Sequence, residues 1–174
     1  MEPLRDSGEH CAVAVIGGGA AGLTAAVNAA RLLREQDYGA QVPVMILESQ
    51  DRVGKKILAT GNGRCNLSHD PLDLCAYHGE DTAFVEPALS HYNLTETLNW
   101  FAQIGLFCRT DPDGRIFPYS YQASAVLDLL RREADRLPVT VRTGCRITGL
   151  VRSRFGFVLT ESGQETIAAD RVII

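Results

Sequence analysis

The stretch Val13–Ala26 reads VAVIGGGAAGLTAA, and its reading decides the fold. A short run with β-branched residues, Val13, Val15 and Ile16, meets a glycine cluster and turns into an alanine-rich segment with helical character. Gly17, Gly19 and Gly22 stand in G-x-G-x-x-G register, the spacing of a strand–turn–helix that holds a pyrophosphate. Gly17 permits the tight turn, Gly19 lets the backbone approach the phosphates, and Gly22 lets the helix pack close to the strand. The helix N-terminus adds free N–H groups and the positive end of its dipole. Gly17, Gly19, Ala20, Ala21 and Gly22 are therefore expected to cradle a dinucleotide through their backbone.

A second strand follows, Val42-Pro43-Val44-Met45-Ile46-Leu47-Glu48, with Pro43 near its start, where a missing N–H costs least. Glu48 closes the apolar run and can accept hydrogen bonds from both hydroxyls of an adenosine ribose. Its separation from Gly22 is somewhat longer than the usual ~20 residues. A helix to about Gln36 and the polar stretch Asp37–Gln41 account for the excess. A carboxylate at this position also disfavours a 2′-phosphate, which it would repel.

With 174 residues and 45% hydrophobic content, the chain can build one ordinary domain. The net charge of −4 carries no basic excess, so nucleic-acid binding has no electrostatic support from composition. Cys11, Cys65, Cys75, Cys108 and Cys145 form an odd set without a C-x-x-C pair, and the histidines show no ligand-like spacing with them. That pattern favours reduced thiols in a cytoplasmic protein and no metal site. The segment before the glycine fingerprint carries Glu2, Asp6 and Glu9 and is no signal peptide, and no run is long enough to span a bilayer.

Beyond Glu48, Arg52–Ser68 (RVGKKILATGNGRCNLS) follows neither period and reads as a functional loop. Asp70–Pro87 is weakly patterned. Thr95–Ile104 reads as an amphipathic helix with Leu94, Leu98 and Phe101 on one face and Gly105 as its stop. Leu106–Arg109 and Arg115–Phe117 flank Asp111-Pro112-Asp113-Gly114, a hairpin signature. Ser124 is the expected cap of a helix running to about Leu137, with Val126, Leu129, Leu130, Ala134 and Leu137 on its buried side. The last third reads as strands: Val139–Arg142, Arg146–Val151, Gly156–Thr160, Glu165–Ala168, and a buried closing strand, Asp170–Ile174. A β-meander between a βαβ unit and a final strand departs from the regular alternation of an NAD-binding domain. It predicts the FAD-binding α/β variant, a Rossmann-like three-layer fold. In that fold a parallel sheet carries helices on one side and an antiparallel β-meander on the other.

The motifs VIGGGAAGLTAA, LES, GKKILATGNGRCNLS and DGRIFPYSYQASAVLDLL resemble those of the BaiN/YhiN-like FAD-dependent oxidoreductases, NAD(P)/FAD-dependent, aminoacetone-oxidase-like bacterial flavoproteins. The resemblance spans nearly the whole chain, and Thr60-Gly61-Asn62-Gly63-Arg64-Cys65-Asn66 is its specific element. It implies an N-terminal FAD domain, an inserted substrate domain and a return to the FAD domain, of which residues 1–174 match the first part. The expected layout is a βαβ unit over about 11–48, a flavin loop and insertion over about 52–137, and a meander with last strand over about 139–174. The substrate domain, the C-terminal FAD segment and the Ala-Thr-Gly-Gly turn that family members place after the last strand are not among these residues.

The resemblance implies FAD as cofactor and NAD(P)H as electron donor. It places Glu48 and Ser49 at the adenosine and Lys56, in preference to Lys55, near the pyrophosphate. Gly61, Asn62, Gly63, Arg64, Cys65 and Asn66 would run along the flavin. Glycines allow close approach, Asn side chains can bond the polar edge, and Arg64 can face phosphate or an anionic reduced flavin. Cys65 has no partner thiol nearby in sequence and reads as a small packed residue. Ile147, at the start of the meander, is the candidate neighbour of adenine. Arg115 either faces the site or belongs to the hairpin surface. The implied activity passes a hydride from reduced nicotinamide through FAD to an unsaturated or carbonyl-conjugated small molecule. A flavin amine oxidase is the alternative within enzymes, and a non-catalytic nucleotide-binding or interaction fragment the alternative outside them.

Overall fold

The computed structural model describes residues 9–36, 44–163 and 166–174. In chain order the elements are β1 (Glu9–Ile16), α1 (Ala20–Glu35), β2 (Val44–Glu48) and α2 (Lys55–Ala59), the last followed by a 3₁₀ turn at Thr60–Gly63. Next come β3 (Ser68–His69), α3 (Glu86–His91), α4 (Leu94–Gln103), β4 (Cys108–Thr110) and β5 (Arg115–Pro118). The chain closes with α5 (Ala123–Arg136), β6 (Val139–Thr143), β7 (Ile147–Ser153), β8 (Gly156–Glu161) and β9 (Thr166–Ile173). Val42 and Pro43, Asp37–Gln41 and Glu165 lie outside the described residues. No helix among the described residues is long and apolar enough to cross a membrane.

The chain divides into two compact units. The first takes the described residues up to Lys55 together with Leu130–Ile174, and the second is Lys56–Leu129. The first unit holds a six-stranded sheet in the order β6-β2-β1-β9-β8-β7. Its β6-β2-β1-β9 part is parallel, and β9-β8-β7 is antiparallel. β1 is buried from Cys11 to Val15 and β2 from Val44 to Leu47, the continuous apolar signature of parallel strands covered on both faces. Leu23, Ala26, Val27 and Ala30 recur at helical spacing and form the buried stripe of α1. Arg31 of α1 is ion-paired to Glu133 of α5 at 2.8 Å. Cys11, Ala14, Met45, Leu47, Cys145, Leu159, Ile167 and Ala169, drawn from the parallel and antiparallel parts of the sheet and the turn after β6, form a core cluster.

The second unit carries a small antiparallel sheet, β3-β5-β4, centred on buried Ile116 and Phe117. Asp111–Gly114 makes the expected hairpin turn, with the Gly114 N–H donating to the Asp111 carbonyl at 2.9 Å. The amphipathic helix appears as α4, capped by the Asn93 side chain accepting from the Glu96 N–H at 2.9 Å.

Four local expectations are corrected. Ser124 is not a cap: α5 already begins at Ala123, because the positive φ of Tyr121 (50°) turns the chain earlier. Arg52–Ser68 is not all loop, since α2 occupies Lys55–Ala59; a helix of five residues that buries only Ile57 is too short to show a period. Glu165–Ala168 and Asp170–Ile174 are not two strands, because β9 runs unbroken through Asp170. The sequence pattern changes there for a topological reason. Up to Ala169 the strand is paired with both β1 and β8, and beyond it with β1 alone among the described strands. Val139–Thr143 also belongs to the parallel sheet, beside β2, and not to the antiparallel part.

A Cβ added at Gly22 would lie 1.8 Å from the Gly17 carbonyl oxygen, while one at Gly19 would meet nothing within 4 Å. Gly22→Ala should therefore lower unfolding free energy by roughly 2–3 kcal/mol despite the better helix propensity of Ala. Gly19→Ala should change it little. Urea denaturation of the two variants checks this, and equal stability would remove the helix–turn contact as a constraint.

Candidate functional site

The first unit builds its site at the carboxyl ends of β1 and β2, the edge where open α/β sheets bind ligands. The register Ile16↔Leu47 sets the two strand ends level. The Gly17 N–H then donates to the Leu47 carbonyl at 2.9 Å, so the glycine turn starts against the end of β2. Gly19 is the N-cap of α1 and supplies no side-chain cap, and the first turn contains no acidic residue. The backbone N–H groups of that turn, those of Ala20 and Ala21 included, are left as donors for an anion. The open space around Gly17 and Gly19 leaves room for one to approach.

Glu48 is tied into this turn. One carboxylate oxygen, Oε2, accepts from the Gly18 N–H at 2.7 Å. The other, Oε1, accepts from the Gln50 N–H at 2.7 Å and from the Ser49 hydroxyl at 3.3 Å. Burial alone would raise the Glu48 pKa. The Gln50 and Gly18 N–H groups, the Ser49 hydroxyl and the Lys55 charge together outweigh it and hold the carboxyl below its ordinary range. A carboxylate offers about four lone-pair sites, so acceptor capacity remains after these donors. Lys55 itself is ion-paired to Asp51 and reaches the Gln50 side chain at 3.4 Å.

Gly18 is the residue that sequence reasoning missed. The fingerprint register passes over it. Yet a Cβ there would lie 2.4 Å from Cγ1 of buried Val53 and 3.1 Å from Glu48 Oε2, and its carbonyl accepts the Gly54 N–H at 2.8 Å. Its place as the middle glycine of the run Gly17–Gly19 was the only available signal. The turn after β6 closes the same corner: the Cys145 N–H donates to the Glu48 carbonyl at 2.9 Å and the Gly144 N–H to that of Gln50 at 2.7 Å. Ile147 is half-buried against the core cluster.

The second unit holds the TGNGRCN segment. Gly61 (φ 57°), Asn62 (57°), Gly63 (81°) and Cys65 (60°) are all left-handed, so the chain coils tightly. At Gly61 a side chain is also excluded by space, since a Cβ would lie 2.7 Å from the Asn66 nitrogen and 3.2 Å from the Phe117 ring. The Cys65 N–H donates to the Thr60 carbonyl at 3.0 Å. The Asn66 amide, with its nitrogen turned toward them, donates to the Ser68 carbonyl at 2.8 Å and the Ile116 carbonyl at 3.2 Å, which fastens the segment to β5. Asn62 is exposed, as is Lys56. Arg64 is half-buried, donates through Nε to the Gly61 carbonyl at 3.2 Å, and lies 4.6 Å from the Phe117 ring centroid. The ring and carbonyl fix its guanidinium in place. Arg115 bonds Asp113 at 2.7 Å and so belongs to the hairpin turn.

Burial pushes the Cys65 thiol pKa up, and a hydrogen bond with Thr60 offsets only part of that. The residue is a protonated, packed thiol at neutral pH. No group of three or more His, Cys, Asp or Glu side chains among the described residues could hold a metal ion.

Known proteins share this architecture. The chain is 47% identical over 162 residues to the 3-dehydro-bile acid delta(4,6)-reductase of Clostridium scindens, covering 93% of this chain and 38% of that protein. It is 24% identical over 160 residues to the ribosomal RNA dihydrouridine synthase of Escherichia coli, covering 92% of this chain and 38% of that one. The chain thus spans well under half the length of these curated relatives. Among solved structures it resembles THI4 of Thermovibrio ammonificans (TM-score 0.57, 16% identity, 94% of this chain and 56% of that one). It also resembles NikD, an amino acid oxidase (TM-score 0.52, 18% identity, 94% and 50%). These two likenesses establish the fold alone. Residues 11–174 match the family described as HI0933-like protein Rossmann domain, and the chain belongs to that FAD-dependent Rossmann family.

Proposed function

We propose that the chain is the FAD-holding part of a reductase acting on an unsaturated, carbonyl-conjugated small molecule. The observation that carries the reading is the coupling of Gly18 to Glu48, which sets a carboxylate beside an uncapped helix start, where it could accept ribose hydroxyls. Gly17, Gly19, Ala20, Ala21 and Gly22 would hold the pyrophosphate through backbone N–H groups. Glu48 and Ser49 would hold the ribose, and the Gly144–Cys145 turn, with Ile147 behind it, would border adenine. The segment Gly61–Asn66 would serve the flavin. Within it Arg64 offers a positive charge already held by a ring and a carbonyl, so little reorganisation is needed when an anionic group meets it. Lys56, exposed on α2, would screen phosphate charge.

When bound, FAD would supply hydride transfer between a reduced nicotinamide and the substrate's conjugated double bond. The names of the two curated relatives support reduction as the direction, since both describe adding hydrogen to an unsaturated ring. The greater identity to the bile acid enzyme favours a small apolar substrate over RNA. Free thiols at all five cysteines support a cytoplasmic placement.

The absorption spectrum of the purified chain with added FAD, after removal of excess flavin, tests cofactor retention. Gly19→Val should abolish retention by filling the space the phosphates need, and unchanged FAD affinity would overturn the pyrophosphate assignment. Glu48→Ala should weaken FAD by roughly ten- to a hundredfold, the worth of a charged hydrogen-bond acceptor, while leaving riboflavin binding unaltered. Equal loss for both ligands would move Glu48 out of the ribose role.

The pH dependence follows from the depressed Glu48 pKa. A carboxyl whose folded pKa lies below its unfolded value contributes fully above the ordinary carboxylate range. That contribution is lost as pH falls through the lowered value. FAD affinity, where it depends on the Glu48 carboxylate, should therefore hold from neutral pH to below 4.5, the ordinary glutamate value, and decline only as pH falls through the lowered value. Flavin-fluorescence titrations on the wild type and Glu48→Gln check this. The same decline in both proteins would place the titrating group elsewhere.

A further inference from the structure

A second cavity in the first unit lies away from the glycine turn. It encloses about 530 Å³, within the range of small-ligand sites, and is lined by the tip of the β7–β8 hairpin, mid-β1, Asp170 and Arg171 of β9, and the C-terminal end of α1. Helix α1 has 16 residues and separates its two ends by about 24 Å, so this cavity and the pyrophosphate cradle stand at opposite ends of one helix.

Its lining is cationic in an acidic chain. Arg152, Arg154 and Arg171 all line it. None of them forms an ion pair with a carboxylate among the described residues. Arg171 donates to the Asp170 backbone carbonyl at 2.9 Å, and Arg154 stands 5.6 Å from the centroid of Phe155. The one carboxylate among the described lining residues, Asp170, is engaged by His10 at 3.1 Å. The C-terminal end of α1 adds about half a negative charge. Three guanidinium groups outweigh that half charge and one carboxylate, so the described lining is net positive. Phe155 also lines it, with 68% of its surface exposed. The Ser153 hydroxyl accepts from the Phe155 N–H at 3.2 Å and holds the tip of the hairpin in shape.

We infer that this cavity binds a nucleotide phosphate, with the guanidinium groups of Arg152, Arg154 and Arg171 on the phosphate and the Phe155 ring against the base. Guanidinium groups match phosphate oxygens in geometry as well as charge, and an aromatic face stacks on any base. The distance from the glycine turn makes this a site separate from the dinucleotide cradle. The inference does not rest on the proposed reductase activity.

The test uses the full chain in the presence of saturating FAD, with calorimetric titration of two probes, ADP and a short single-stranded RNA. The comparison is between the wild type and the double variant Arg152→Ala/Arg154→Ala, with Arg34→Ala, a surface arginine outside the lining, as the control. The double variant should bind at least one probe about tenfold more weakly, as expected for lost charge-assisted hydrogen bonds. Circular dichroism and FAD affinity should be unchanged. ADP binding that depends on the arginines identifies a free nucleotide as the source. RNA binding that depends on them without ADP binding identifies a strand. Absence of binding by either probe, or equal binding by the wild type and the double variant, overturns the inference. Any ADP bound by an empty dinucleotide cradle would be insensitive to these arginines, so failure of the FAD reading and failure of this one are distinguishable.

Discussion

The bond between the Gly18 N–H and the Glu48 carboxylate is the constraint on which the rest of the first unit depends. It joins the turn after β1 to the end of β2, two points that the parallel register has already set level. Neither Gly18 nor Gly22 has room for a side chain. A side chain at Gly18 would strike Val53, and one at Gly22 would strike the Gly17 carbonyl. The consequence is a helix start held open, with uncapped N–H groups and a carboxylate of low pKa beside them. Packing, in other words, places a donor set and an acceptor set at a fixed separation before any ligand arrives. That is the physical content of preorganisation.

The second unit uses a different device. Its TGNGRCN segment is held by left-handed backbone and by contacts to Phe117 and Ile116, at the centre of a three-stranded sheet. Arg64 stacks on the same Phe117 ring that closes over Gly61. A charged side chain and an irregular loop are thus supported by one buried aromatic, in keeping with the rule that loop residues are precise only when a rigid element positions them.

Net charge proved a poor guide to local electrostatics. A chain of charge −4 has no basic excess, yet Arg152, Arg154 and Arg171 line one cavity because the β7–β8 hairpin folds beside β9. Arg142, by contrast, is spread between Glu9 at 2.8 Å and Glu161 at 2.7 Å. The sequence shows all four as arginines in a β-rich stretch, and nothing in their spacing separates a paired one from the rest.

The sequence by itself determined the glycine turn, the buried β1 and β2, the helix α4 with its stop at Gly105, and the Asp111–Gly114 hairpin. In each case the signal is local: a φ preference, a missing Cβ, or an apolar period within one element. The family likeness was legible for the same reason, since motif residues are contiguous. Only the tertiary structure decided that β6 pairs with β2, that β9 carries both the parallel and the antiparallel pairing without a break, and that α5 starts before Ser124. It alone showed Gly18 bonded to Glu48 and three arginines around one cavity. These facts depend on which strand lies beside which. Pairing is set by the burial of whole faces across distant segments, and no window of sequence contains that sum.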